Sequence, residues 1–260
     1  DIARIKVARG DVDGALALHE EMLRVFESLG DARSRAVTLG DIARIKVARG
    51  DVDGALALHE EMLRVFESLG DARERAVTLG DIARIKVDRG EVDGALALHE
   101  ERLRVFESLG DARSRAVTLG DIARIKVARG DVDGALALHE ERLRVFESLG
   151  DVSAKAHTLW SLAQINLERG EAARAVERLA EAYRIILGLG RLDGICYVGM
   201  NLGQLLCGGG AISEGRAILE RSLAGFRQLR QAEMVREIED FLSTLPPEQP
   251  GRDPKADPGL

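Results

Sequence analysis

Apolar side chains recur along this chain three or four positions apart. In residues 32–69 they stand at Ala36, Leu39, Ile42 and Ala43, then at Leu56, Leu63 and Phe66, the spacing of one helix face. Glycines interrupt the pattern at regular points. Gly50 and Gly70 stand where a helix ends in a left-handed residue, a conformation that costs glycine little. Asp51 and Asp71 follow as N-caps, whose carboxylates satisfy free amides of the next helix. Asp71-Ala72-Arg73-Glu74 even has the order of a capping box. This punctuation predicts one helix over Ala32–Arg49 and another over Val52–Leu69. No segment alternates as a strand does, so the predicted class is all-α.

The same forty-residue pattern returns along the chain. Residues 41–80 match 1–40 except that Glu74 stands for Ser34, and 81–120 depart from the first copy only at Asp88, Glu91 and Arg102. The fourth copy, 121–160, holds through Asp151 apart from Arg142, and two further copies keep the frame with little of the sequence. One helical hairpin of this size cannot bury its apolar stripe, whereas stacked hairpins cover one another. The expectation is an α-solenoid of about six helix-turn-helix repeats over 1–231. An amphipathic helix at 232–244, with Met234, Val235, Ile238, Phe241 and Leu242, is expected to cap the array. Residues 245–260 hold all five prolines and are expected to form a disordered tail. Residue 1 falls within a repeat, so the first repeat is expected to be truncated and the array to belong to a longer protein.

Composition narrows the function more than the fold. Acidic and basic residues, 44 and 37, are finely interleaved for a net charge of −7, and aromatic residues make up 3%. Without a basic block to neutralise phosphates or aromatic faces to stack bases, nucleic acid is not an expected partner. No apolar run approaches the roughly 20 residues that span a bilayer, so no membrane association is expected. Cys196 and Cys207 fall on one predicted helix about 16 Å apart along its axis, too far for a disulfide. A reduced, cytoplasmic setting fits them.

The frame Leu39, Ile42-Ala43, Gly50, Asp51, Ala55 and Leu63 resembles the tetratricopeptide repeat. It is most similar to the longer variant of bacterial arrays and kinesin light chains. That resemblance covers about 1–240 and implies a right-handed superhelical solenoid. In it Ala43 marks the close approach of helices A and B, Gly50 ends helix A, and Ala55 opens the packed face of helix B. The sequence departs from the family later in helix B. Met22, Met62, Arg102 and Arg142 stand where a small residue is usual, and His19, His59, His99 and His139 where an aromatic is usual. The lysines and asparagines of the family's carboxylate clamp are missing, which disfavours binding of chaperone tails.

Candidate catalytic chemistry is thin. The His-Glu-Glu run at His19, His59, His99 and His139 lacks the second histidine of a zinc motif, and repeats cannot converge on one ion. Asp11-Val12-Asp13-Gly14 resembles a calcium-loop start, but the twelfth position is Met22, not glutamate. No phosphate loop or nucleophile elbow occurs. No cofactor, metal or enzymatic activity is expected.

The concave face, lined by helix A in the resembled family, carries the candidate binding residues. Arg44, Arg84 and Arg124 recur there, each three residues after an aspartate (Asp41, Asp81, Asp121). They either pair with those aspartates or form a ladder that grips carboxylates of an extended partner. In the last two hairpins the columns change. Val37's becomes His157 and Tyr197, Gly40's becomes Trp160 and Met200, and Arg44's becomes Gln164 and Gln204. Aromatics and methionine beside amides make a binding hot spot, or else fill gaps where packing changes before the cap. The expected function is a non-catalytic scaffold holding a peptide or protein segment. The alternatives are a structural spacer, an array self-associating through its uncapped N-terminal end, or the sensor arm of a larger bacterial signalling ATPase or protease-like protein.

Overall fold

Each helix starts and stops where glycine and aspartate stand. Gly50 lies in the left-handed region (φ +80°). Its amide donates to the Val47 carbonyl, and the Asp51 amide donates to Lys46, both at 2.9 Å. Asp51 then turns its carboxylate onto the Gly54 amide at 3.0 Å. One glycine–aspartate pair thus closes one helix and opens the next. The Asp71 carboxylate accepts from the Glu74 amide at 3.1 Å. At 230 the column breaks, and Arg230 takes the positive φ (57°) that glycine holds elsewhere, a strain of about 1 kcal/mol.

The computed structural model describes Lys6 and residues 10–247. Residues 1–5 and 7–9, and 248–260 of the expected tail, lie outside the described residues. Twelve α-helices follow one another within them, and no strand occurs there: α1 Val12–Leu29, α2 Ala32–Ala48, α3 Val52–Ser68, α4 Ala72–Asp88, α5 Val92–Ser108, α6 Ala112–Ala128, α7 Val132–Ser148, α8 Val152–Glu168, α9 Ala172–Leu189, α10 Leu192–Gly208, α11 Ile212–Gln228 and α12 Ala232–Thr244. The observed α2 and α3 end one residue short of the expected Arg49 and Leu69. The fold is an all-α solenoid of repeated helix pairs. It divides into two compact units, 1–134 and 135–260.

In the first unit α1 is followed by the hairpins α2–α3 and α4–α5 and then by α6. Fully buried alanines, Ala36, Ala43, Ala55, Ala76, Ala83 and Ala95, let the helices approach, and large residues fill the layers between them. Ala36, Leu39, Met62 and Phe66 form one such layer. Ala43, Ala55 and Ile85 form the next. Charges keep register from repeat to repeat: Arg33 reaches Asp71 at 2.9 Å, Arg73 reaches Asp111 at 2.5 Å, and Arg49 and Arg89 pair with Asp13 and Asp53.

The second unit holds most of α7, the hairpins α8–α9 and α10–α11, and α12. Its core runs from Leu159 and Leu179 through Tyr183 to Val198 and Leu202. A second cluster gathers Cys196, Cys207, Leu219, Leu223, Phe226 and Ile238. α12 closes this end: Ile238 is fully buried, Met234, Val235, Phe241 and Leu242 pack beside it, and Arg227 pairs with Glu239 at 2.6 Å. Both cysteines are buried free thiols, and burial pushes each thiol pKa up.

Candidate functional site

In the second unit α8 and α10 face each other across the C-terminal end of α9. They leave a hollow of about 290 Å³, lined by His157, Trp160, Ile186, Leu189, Tyr197 and Val198 among others. The rings are fixed from behind. His157 meets Trp160 edge to face, with centroids 5.8 Å apart and planes at 70°. Tyr197 sets its edge against Phe226 at 5.0 Å and 81°, and its hydroxyl donates to Gln231 Oε1 at 2.8 Å. Aromatics held this way lose little freedom when a ligand arrives. The indole Nε1 of Trp160 is buried and has no hydrogen-bond partner. At the hollow's edge Arg191 pairs with Asp193 at 3.1 Å, which holds that carboxyl below its usual pKa.

Three residues expected at the aromatic patch, His157, Trp160 and Tyr197, therefore meet at one hollow. The other three do not line it. Met200 packs against the cluster around Phe226 and Ile238. Gln164 and Gln204 are half-buried one helical turn beyond Trp160 and Met200.

The first unit has a larger groove of about 660 Å³. Val77, Asp81, Arg84 and Val87 of α4 make one wall, Val117, Asp121 and Arg124 of α6 the other, and His99 and Arg102 of α5 the floor. Arg44, Arg84 and Arg124 are exposed and pair with Asp41, Asp81 and Asp121 on their own helices. Such pairs are worth a few tenths of a kcal/mol, so a ligand carboxylate can replace the aspartate at small cost. Arg102 is the residue that sequence reasoning did not place at a site. Its Nη1 donates to Asp121 at 2.9 Å, and its guanidinium lies 5.5 Å from the Phe106 ring centroid. A β-carbon at Gly80 would stand 2.9 Å from its Cζ, so the glycine makes room for it. The signal was the substitution of Arg102 for Met62 in one column.

The four repeat histidines are core residues, each 5% exposed or less. Among the described residues no cluster of three or more metal-ligating side chains occurs. Burial pushes the imidazole pKa of His59 and His99 below the usual 6.5, against the raising effect of Asp81 and Asp121 respectively. Arg84 and Arg44 beside His59, and Arg102, Arg124 and Arg84 beside His99, push further down. A histidine that resists protonation when folded binds fewer protons than in the unfolded chain. Its contribution is complete above the unfolded value and is lost as pH falls below it. The urea midpoint is therefore expected to fall between about pH 7.5 and pH 5.5, and His59→Leu with His99→Leu to flatten that fall.

No helix of the described residues is long and apolar enough to cross a membrane. Comparison with protein families matches the model described as tetratricopeptide repeat to residues 1–68, 34–108, 74–148 and 114–187. Among solved structures, BtubC (BKLC) from P. vanneervenii is similar at a TM-score of 0.73 and 16% identity, over 92% of this chain and 94% of that chain. The nearly identical TPR-like repeats of a kinesin light chain type from Podosopora anserina give a TM-score of 0.59 at 22% identity, over 73% of this chain and 94% of that one. A Rap protein complexed with competence and sporulation factor gives 0.64 at 15% identity, over 93% and 71%. At these identities the likeness is one of fold. The curated proteins contain no match.

Proposed function

The chain belongs to the tetratricopeptide repeat family, and from that premise we propose that it is a non-catalytic scaffold whose second unit holds a peptide or protein segment. The observation that carries this is the hollow between α8 and α10, where the only tryptophan and one of two tyrosines stand together over an apolar floor. A hollow of this size takes one or two apolar side chains of a partner. The Rap protein of similar fold was solved with a bound factor, which supports binding as the use of such an array. In the first unit Arg84 and Arg124 supply a separate groove suited to a carboxylate-bearing segment. The two free cysteines fit a reducing, cytoplasmic setting.

Selection from a displayed peptide library tests the reading. Peptides bearing a bulky apolar residue are expected to be enriched. Trp160→Ala with Tyr197→Ala is expected to weaken them at least about thirtyfold, with helix content unchanged. Retained affinity in that double variant would place the peptide elsewhere and overturn the hollow as its site, and enrichment of no peptide would favour a spacer or sensor arm.

A further inference from the structure

Six charged side chains line the groove between α4 and α6, and the way they share one another determines what it can hold. Asp81, Asp88 and Asp121 are matched in number by Arg84, Arg102 and Arg124, so net charge does not set what binds. Exposure does. The Arg84 and Arg124 side chains are 66% and 78% exposed, whereas the aspartates they pair with are 30% and 24% exposed. A ligand entering the groove meets guanidinium before carboxylate. Asp88 stands apart, exposed at the last position of α4.

The two inner aspartates are not held alike. Asp81 pairs with Arg84, and the place that Arg102 holds for Asp121 is held for Asp81 by the uncharged Met62. Asp121 accepts from Arg124 at 3.2 Å and also from Arg102 Nη1 at 2.9 Å. The Arg102 side chain is only 13% exposed and lies against the Phe106 ring, which fixes it in place. A sheltered guanidinium thus already neutralises Asp121. The exposed pair to Arg124 adds little to that, so Arg124 can turn to an incoming anion. Arg102 and Asp88 are two of the three residues that set the third copy apart from the first, and both line this groove.

We propose that the groove holds an extended acidic segment of a partner protein, with one carboxylate on Arg124 and a second, three residues away, on Arg84. The site presumes the scaffold role of the chain, but not the hollow between α8 and α10. Its spacing follows from the repeat. α4 and α6 share a buried layer through Ala83 and Ile125, which sets their axes about 10 Å apart. Three residues of extended or polyproline II chain cover about the same distance. In polyproline II the third residue also returns to the same side of the chain. Val77, Val87 and Val117 are exposed beside the arginines and suit apolar residues between the acids. Asp88 repels a further acid beyond Arg84.

The probe is a fluorescein-labelled peptide of three Glu-Val-Pro units, titrated with the full chain and followed by anisotropy. Saturable binding that weakens with added salt is expected. A peptide of the same composition with its glutamates adjacent should bind about tenfold more weakly, and one of Lys-Val-Pro units should not bind. Arg124→Ala should weaken binding at least about tenfold. Arg102→Met, which gives the column the side chain it has in the second copy, should weaken it about threefold with helix content unchanged. Asp121→Asn added to Arg102→Met should recover that loss, which a merely structural role for Arg102 does not predict. No saturation up to about 1 mM, equal binding of the two glutamate orders, or indifference to Arg124→Ala would overturn the proposal. Trp160→Ala with Tyr197→Ala should leave this binding intact, and its loss there would put the peptide in the hollow instead. Failure of the acidic peptide while library peptides still bind the hollow would strike this groove alone.

Discussion

Gly215→Ala is expected to destabilise the second unit by about 1–3 kcal/mol, although alanine is the better helix former by about 1 kcal/mol. α10 and α11 cross with their backbones in contact. A β-carbon on Gly215 would stand 2.6 Å from the Gly203 carbonyl oxygen and 2.9 Å from the Cys207 amide nitrogen. The contact is reciprocal, since a β-carbon on Gly203 would stand 2.8 Å from the Gly215 oxygen. Backbone cannot rotate aside as a side chain can, so the helices must separate and every contact along the crossing loosens. Ser222 and Leu219 sit against Gly199 and Gly203 on the same seam, which spreads the loss. Gly188→Ala is the control. It lies within α9 with nothing within 4 Å of the added carbon, so it should gain part of the propensity difference. Urea denaturation of the two variants against the parent checks both signs.

Phe226→Ala is expected to cost more, about 3–5 kcal/mol, and to reach the binding hollow without touching its lining. Phe226 is 0% exposed and stands amid Cys196, Cys207, Leu219, Leu223 and Ile238. Its removal leaves a void that helices pinned by the Gly203–Gly215 crossing close only in part. It also removes the ring on which the edge of Tyr197 rests, freeing a side chain that lines the hollow. Hydrogen exchange should show early loss of protection at Ile238 in α12, and ligands of the hollow should weaken in proportion to the disorder of Tyr197. Phe26→Ala should cost markedly less in this chain, because Phe26 is only half-buried.

The helix ends were legible because their signals are local. Gly50 and Asp51 carry both halves of a turn in two residues, and the observed caps follow them. The meeting of His157, Trp160 and Tyr197 was legible for a related reason: residues forty apart hold equivalent places on successive helices, so a change in a column becomes a patch in space. Gln164 and Gln204 sit one turn beyond that patch, and column reasoning carries no information on where the hollow ends along the axis. The arginine ladder could not be resolved from spacing, since Asp41 and Arg44 allow either a closed pair or an open grip. The structure has the pair. Arg102 and His99 were out of reach for another reason. They belong to α5, and they form a floor only because α4 and α6 stand apart and Gly80 lacks a β-carbon.

The sole tryptophan gives the central claim its most direct test. Trp160 lines the hollow and is the only indole in the chain, so its emission reports on that site alone. A library-selected peptide free of tryptophan would be titrated into the full chain, with binding followed in parallel by calorimetry. The scaffold account predicts that Trp160 emission shifts and saturates with the same midpoint as the heat. Full calorimetric binding with unchanged tryptophan emission would place the partner elsewhere and contradict it.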